Sequence, residues 1–222
     1  MGELALRRQI IATARAMNAR GLNRGTSGNV SARTGQGFLV TPTGLACESM
    51  RPEDIVPVTL DGAAQGARSP SSEWRFHRDI YAARAEAGAI VHAHSPFATT
   101  LACLGRGIPA FHYMIAAAGG DDIRCAPYAT FGTQALSDRA LRALRGRKAC
   151  LLANHGMIAI GPGLVEAMAL AVEVEALAEQ YWRALQIGEP LLLSEAEMAV
   201  VLEKFRTYGQ SSQREARVSR RR

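Results

Sequence analysis

His92 and His94 stand two residues apart at the end of the apolar run 89–94. Alternate side chains of an extended strand share a face, so both imidazoles point to one place and can bind one metal ion. The same pair also suits edge-strand histidines bonded to backbone, and the spacing alone does not separate the two readings. His155 strengthens the metal reading. It follows the apolar run 149–153 and precedes Gly156, a residue that lets the chain turn sharply, so three of the 5 histidines fall at strand-to-loop junctions. Three imidazoles and one open position form the ligand set of a catalytic zinc site rather than a structural one.

Glu73 follows Ser71 and Ser72 at the start of a helical run. A carboxylate there can be a metal ligand or a base, and it equally suits the positive end of a helix with no further role. His77, one turn on, reads as packing or as a hydrogen-bond partner of that glutamate. Three segments offer hydroxyls, free N–H groups and glycine to an anion: 25–29 with Gly28 and Asn29, 41–44 with Thr43 and Gly44, and Ser71-Ser72. None has the spacing of a P-loop or of a dinucleotide fingerprint, so no nucleotide cofactor is expected.

These residues need elements to hold them. Leu6, Ile10, Ala14 and Met17 recur at helical spacing before Gly21. Short strand-like stretches follow at 29–33, 38–41 and 55–60, then a helix carrying Trp74, Ile80 and Tyr81, the strand 89–94, and a helix opened by Pro96. Past the Gly119-Gly120 loop, a helix over 133–144 leads to strands at 149–153 and 157–160. A long helix over 164–187 comes next, and Ser194 with Glu197 suits the capping box of a last one. Strands and helices interleave throughout, which predicts an α/β layered fold in a single domain over residues 1–209.

The chain has 222 residues, 48% of them hydrophobic, enough for a well-buried core. No apolar stretch approaches the length of a membrane span, and the four cysteines form no close pair, which predicts a cytoplasmic protein with reduced cysteines in its core. Of the formal charge of +6, residues 211–222 supply +4 (five arginines against Glu215). We read residues 210–222 as a solvated, disordered basic tail and expect neither a nucleic-acid nor a membrane partner.

Longer strings carry a stronger signal: GLNRGTSGNVS, SSEWRFH, IPAFHYMIAAAGG, CAPYATFGT and VVLEKFRTYG. From the first helix to about Tyr208 the chain resembles the class II aldolase and adducin family, on its sugar-phosphate aldolase side. The resemblance implies a three-layer αβα fold around a largely antiparallel sheet, assembled as a four-fold homotetramer with active sites between subunits. It implies Zn2+ held by His92, His94, His155 and Glu73, with Glu73 also serving as acid and base. Phosphate would lie among Gly28, Asn29, Thr43, Gly44, Ser71 and Ser72. Tyr113 of a neighbouring subunit would handle a proton, and Phe131 and Tyr208 would enclose the substrate.

The reaction implied is reversible cleavage of a ketose 1-phosphate of the L-fuculose type to dihydroxyacetone phosphate and a short aldehyde such as lactaldehyde. Lewis-acid chemistry needs no Schiff-base lysine, so Lys148 and Lys204, the only lysines, have no assigned part. The first alternative is a 5-methylthioribulose or 5-deoxyribulose 1-phosphate aldolase. A pentulose-phosphate epimerase or a dehydratase follows, and last a non-catalytic adducin-like module. Three departures from the family pattern stand out: Asn154 where a second histidine is expected, Tyr208 one residue early, and the arginine-rich tail.

Overall fold

The computed structural model describes residues 2–207; Tyr208 and the basic tail lie outside them. Among the described residues are seven strands: β1 (Asn29–Arg33), β2 (Gly37–Val40), β3 (Val56–Thr59), β4 (Ala89–Ala93), β5 (Cys125–Ala126), β6 (Ala149–Leu152) and β7 (Gly156–Gly161). Six α-helices accompany them: α1 (Glu3–Ala19), α2 (Trp74–Ala83), α3 (Pro96–Cys103), α4 (Gln134–Ala143), α5 (Leu164–Ile187) and α6 (Glu195–Thr207). Short 3₁₀ helices occupy Pro52–Asp54 and Tyr113–Ala118.

The strands form one sheet in the order β3-β2-β1-β4-β7-β6-β5, antiparallel throughout except for the β5–β6 pair. β4 is therefore central. Its alternation sorts the two faces: Val91 packs with Val30, Met157 and α5 residues such as Val174, whereas Ile90 packs with Phe76, Ile80 and Ala140 of α2 and α4. α1, α3, α5 and α6 cover the first face and α2 with α4 the second, giving the three layers expected. His92 shares the parity of Ile90 and so faces α2, as do Asn29 and Ser31, which alternate with the oppositely facing Val30 and Ala32.

Helix ends follow local chemistry. Ser194 and Glu197 form the expected capping box, at 2.8 Å from Ser194 N–H to Glu197 Oε2 and 3.2 Å from Glu197 N–H to Ser194 Oγ. The start of α3 is capped from outside: Phe97 and Ala98 N–H donate to the Glu175 carboxylate of α5 at 2.8 and 2.9 Å. That contact anchors the chain just after His94. We expect Glu175→Ala to cost about 1–2 kcal/mol in urea unfolding, as the loss of a charged N-terminal cap does; an unchanged midpoint would show that water replaces the carboxylate.

The structure adds elements that the sequence pattern does not mark, the 3₁₀ helix Tyr113–Ala118 and the two-residue β5. It also corrects one cysteine: Cys47 and Cys150 are buried and Cys125 is half-buried, but Cys103 is exposed because it ends α3 at the surface. No helix among the described residues is long and apolar enough to cross a membrane.

Candidate active site

β4 ends at Ala93, leaving His92 on its α2-facing side and His94 just beyond on the same side. β7 is the antiparallel neighbour of β4, with Ala93 paired to Met157, so the turn before β7 delivers His155 beside them. Glu73 is the residue immediately before α2. The ligand atoms of Glu73, His92, His94 and His155 all lie within 4.8 Å of one another.

The three rings meet pairwise at 4.8 to 4.9 Å between centroids and 75 to 78° between planes, nearly a three-fold arrangement. His92 Nε2 is 3.0 Å from His94 Nε2 and 3.0 Å from Glu73 Oε2, and His155 Nε2 is 3.1 Å from Glu73 Oε1. A tetrahedral ion with bonds of about 2.0–2.1 Å would separate its ligand atoms by about 3.3 Å. The spacing is that of a cation cradle.

Hydrogen bonding behind the cluster supports this. His92 Nδ1 lies 2.8 Å from Met157 O, and a carbonyl only accepts, so Nδ1 carries the proton and Nε2 turns a lone pair inward. Glu73 Oε1 is buried without a hydrogen-bond partner. A lone pair facing a carboxylate is repulsive until a proton or a metal ion lies between them, so the donor set fits a divalent cation. Without an ion, burial would raise the Glu73 carboxyl, but His92 and His155 outweigh it and hold that group well below the usual carboxylate range. Burial opposes charge on His92 too, yet the Glu73 carboxylate raises it, while burial and the neighbouring imidazoles depress His94 to about 3.

The turn at His155 differs from the sequence expectation. The left-handed residue is Asn154, at φ 56°, and the non-glycine type that best tolerates this conformation stands there. Gly156 serves closeness instead: a Cβ there would lie 2.4 Å from Ala93 O and 2.9 Å from the His94 ring. Gly28 has both roles, with φ 73° and a Cβ position 2.7 Å from His92 O.

A cleft of about 310 Å³ opens onto the cluster. Its wall includes Gly28, Asn29, Thr43, Gly44, Ser71, Ser72, Glu73, His94, Phe131 and His155. His92 is fully buried behind the other ligands. Tyr128 and Asn154 also line the cleft; Tyr128 lies in the CAPYATFGT string beside Phe131, which was the available signal for it. Tyr113 does not line this cleft and is 52% exposed on its 3₁₀ helix. A larger groove of about 1150 Å³ runs between α1 and the start of α5, but none of the expected site residues lines it.

The chain is similar to known proteins over most of its length. The sequence model described as "Class II Aldolase and Adducin N-terminal domain" matches residues 8–182. The chain is 60% identical over 210 residues to a 5-methylthioribulose-1-phosphate/5-deoxyribulose-1-phosphate aldolase of Rhodospirillum rubrum, covering 95% of each chain. It is 52% identical over 205 residues to an L-fuculose phosphate aldolase of Escherichia coli, covering 92% of this chain and 95% of that one. Among solved structures, an L-fuculose 1-phosphate aldolase superposes with a TM-score of 0.89 at 40% identity, over 91% of this chain and 96% of the other.

Proposed function

Because the chain belongs to the class II aldolase and adducin family, and to its class II aldolases, we propose that it reversibly cleaves a ketose 1-phosphate to dihydroxyacetone phosphate and a short aldehyde. The observation that carries this is the cluster of three inward-facing imidazoles and one buried carboxylate at the floor of a cleft walled by hydroxyls and glycines. His92, His94, His155 and Glu73 would hold a divalent ion, zinc by its preference for this donor set. When bound, such an ion supplies Lewis-acid stabilisation of the negative charge left as the carbon–carbon bond breaks.

The chain's own residues do the rest. The loops with Gly28, Asn29, Thr43, Gly44, Ser71 and Ser72 carry no positive charge but offer N–H and O–H donors, which suits a phosphate and fixes the substrate remote from the bond. Glu73 holds or moves a proton beside the donor cluster. Tyr113 would serve the cleft of a neighbouring copy in a homotetramer, and its exposure away from its own cleft supports that assignment. Phe131, 65% exposed at the rim, would help cover the aldehyde, together with Tyr208. A cytoplasmic setting goes with four free cysteines among the described residues.

We rank 5-methylthioribulose and 5-deoxyribulose 1-phosphates ahead of L-fuculose 1-phosphate, the opposite of the order expected from the sequence; the identities of 60% and 52% to relatives so named support this ranking. A coupled assay for dihydroxyacetone phosphate release, run on these three and on ribulose 1-phosphate, tests this. We expect release that a chelator abolishes and added Zn2+ restores, fastest with a 5-deoxy or 5-methylthio substrate. No release from any of the four by the metal-loaded protein would transfer the reading to an epimerase or dehydratase.

A further inference from the structure

Glu73 is one end of a buried hydrogen-bonded chain between β1 and α2. Asn29 Nδ2 donates to Glu73 Oε2 at 3.0 Å, and His77 Nε2 lies 2.5 Å from Asn29 Oδ1. Ser31 Oγ lies 2.7 Å from His77 Nδ1 and 2.7 Å from the Tyr81 hydroxyl. The arrangement follows from two periodicities: Asn29 and Ser31 are alternate residues of one strand face, and Glu73 at the N-cap of α2 is followed at intervals of four by His77 and Tyr81 on the helix. Ser31 and His77 are wholly inaccessible and Tyr81 is 1% exposed, so water does not compete for these bonds.

Both ends dictate one direction for the protons. An ionised carboxylate only accepts, so Asn29 turns its NH2 to Glu73 and its carbonyl to His77. That carbonyl only accepts, so His77 carries its proton on Nε2 and presents a bare Nδ1 to Ser31. Ser31 gives its single proton to Nδ1 and accepts from Tyr81, whose hydroxyl, held protonated by burial, ends the chain as a donor. Reversing the chain would put a proton on Glu73 Oε2 and leave the Tyr81 hydroxyl without its Ser31 acceptor. Phe76 stacks on the His77 ring at 4.6 Å, and burial depresses this imidazole to about 3, which keeps it neutral.

We propose that His77 is a positioning residue: as the neutral Nε2–H form it locks Asn29, commits Glu73 Oε2 to a hydrogen bond, and reserves Oε1 as the oxygen that meets a cation or carries the proton. Both oxygens face ligand nitrogens, Oε1 at 3.1 Å from His155 Nε2 and Oε2 at 3.0 Å from His92 Nε2, but only Oε2 accepts from Asn29, and Oε1 is left without a hydrogen-bond partner. The effect on turnover rests on the aldolase reading above; the tautomer does not.

Nitrogen NMR of the ¹⁵N-histidine-labelled full chain, recorded without metal and with Zn2+, reads the tautomer directly. A non-titrating His77 protonated on Nε2 in both states is expected, and an Nδ1–H form or titration through the neutral range overturns the proposal. In the dihydroxyacetone phosphate assay, His77→Phe should lower kcat about 10–100-fold with KM within about two-fold and metal content unchanged, whereas His77→Gln, which keeps an N–H near the Nε2 position, should recover most of kcat. Equal loss in folded Phe and Gln variants also overturns it. A native chain inactive on every ketose phosphate sinks the aldolase reading instead, and the NMR result still decides the tautomer.

Discussion

His94→Ala is expected to bind zinc at least about 100-fold more weakly than the native chain and to lose turnover by at least about 1000-fold, because one of three imidazoles is gone. The substitution is clean. Its main-chain N–H keeps the 2.8 Å bond to Asn23 Oδ1, and the ring's polar contact is the one with His92 Nε2 inside the cluster. Little of the fold depends on it, so the metal-free variant and metal-free native chain should unfold at nearly the same temperature. Metal analysis after dialysis, alongside the aldolase assay, separates the outcomes. A variant that retained one zinc per chain would remove His94 from the ligand set.

Glu73→Gln should part metal binding from catalysis. Three imidazoles remain, and the amide is close in shape to the carboxylate, with its carbonyl able to accept from Asn29 as Oε2 does. Most of the metal should stay. The amide cannot take up and release a proton as the carboxylate does, so kcat should fall about 10²–10⁴-fold, the usual worth of a positioned acid or base. A native-like rate would assign the proton transfer to another group, and loss of the metal would make Glu73 chiefly a ligand.

Much of this site is legible in the residues, for reasons that are local. An apolar run ending in His-x-His marks both a strand and a shared side-chain direction, and β4 fits that pattern. The helices α3 and α5 start where Pro96 and the Gly161-Pro162-Gly163 turn place them. What stays hidden depends on contacts distant in sequence. Nothing in the run around His155 says that β7 is the neighbour of β4, which is why three junction histidines become one cluster only in the fold. The sequence points to Gly156 for the turn there, whereas Asn154 takes the left-handed conformation; both residue types tolerate it, so composition does not choose between them. The spacing of Glu73, His77 and Tyr81 is visible in the chain, but their pairing with Asn29 and Ser31 requires β1 to lie beneath α2. Tyr113 was reachable only through family resemblance, since a small-residue 3₁₀ helix has no periodic signature.

The cleft is built from two kinds of part, and that division bears on how its selectivity can be redesigned. The donor floor belongs to β4, the turn into β7 and the start of α2, near the middle of the sheet, where a changed side chain disturbs many neighbours. Tyr128 and Phe131 stand on the rim, 55% and 65% exposed, on a stretch outside any strand or helix. A combinatorial library confined to these two positions would therefore sample new substrates while leaving the reaction centre, the left-handed Asn154 before His155 and most of the folding energy untouched, making this rim the economical place for directed evolution to begin.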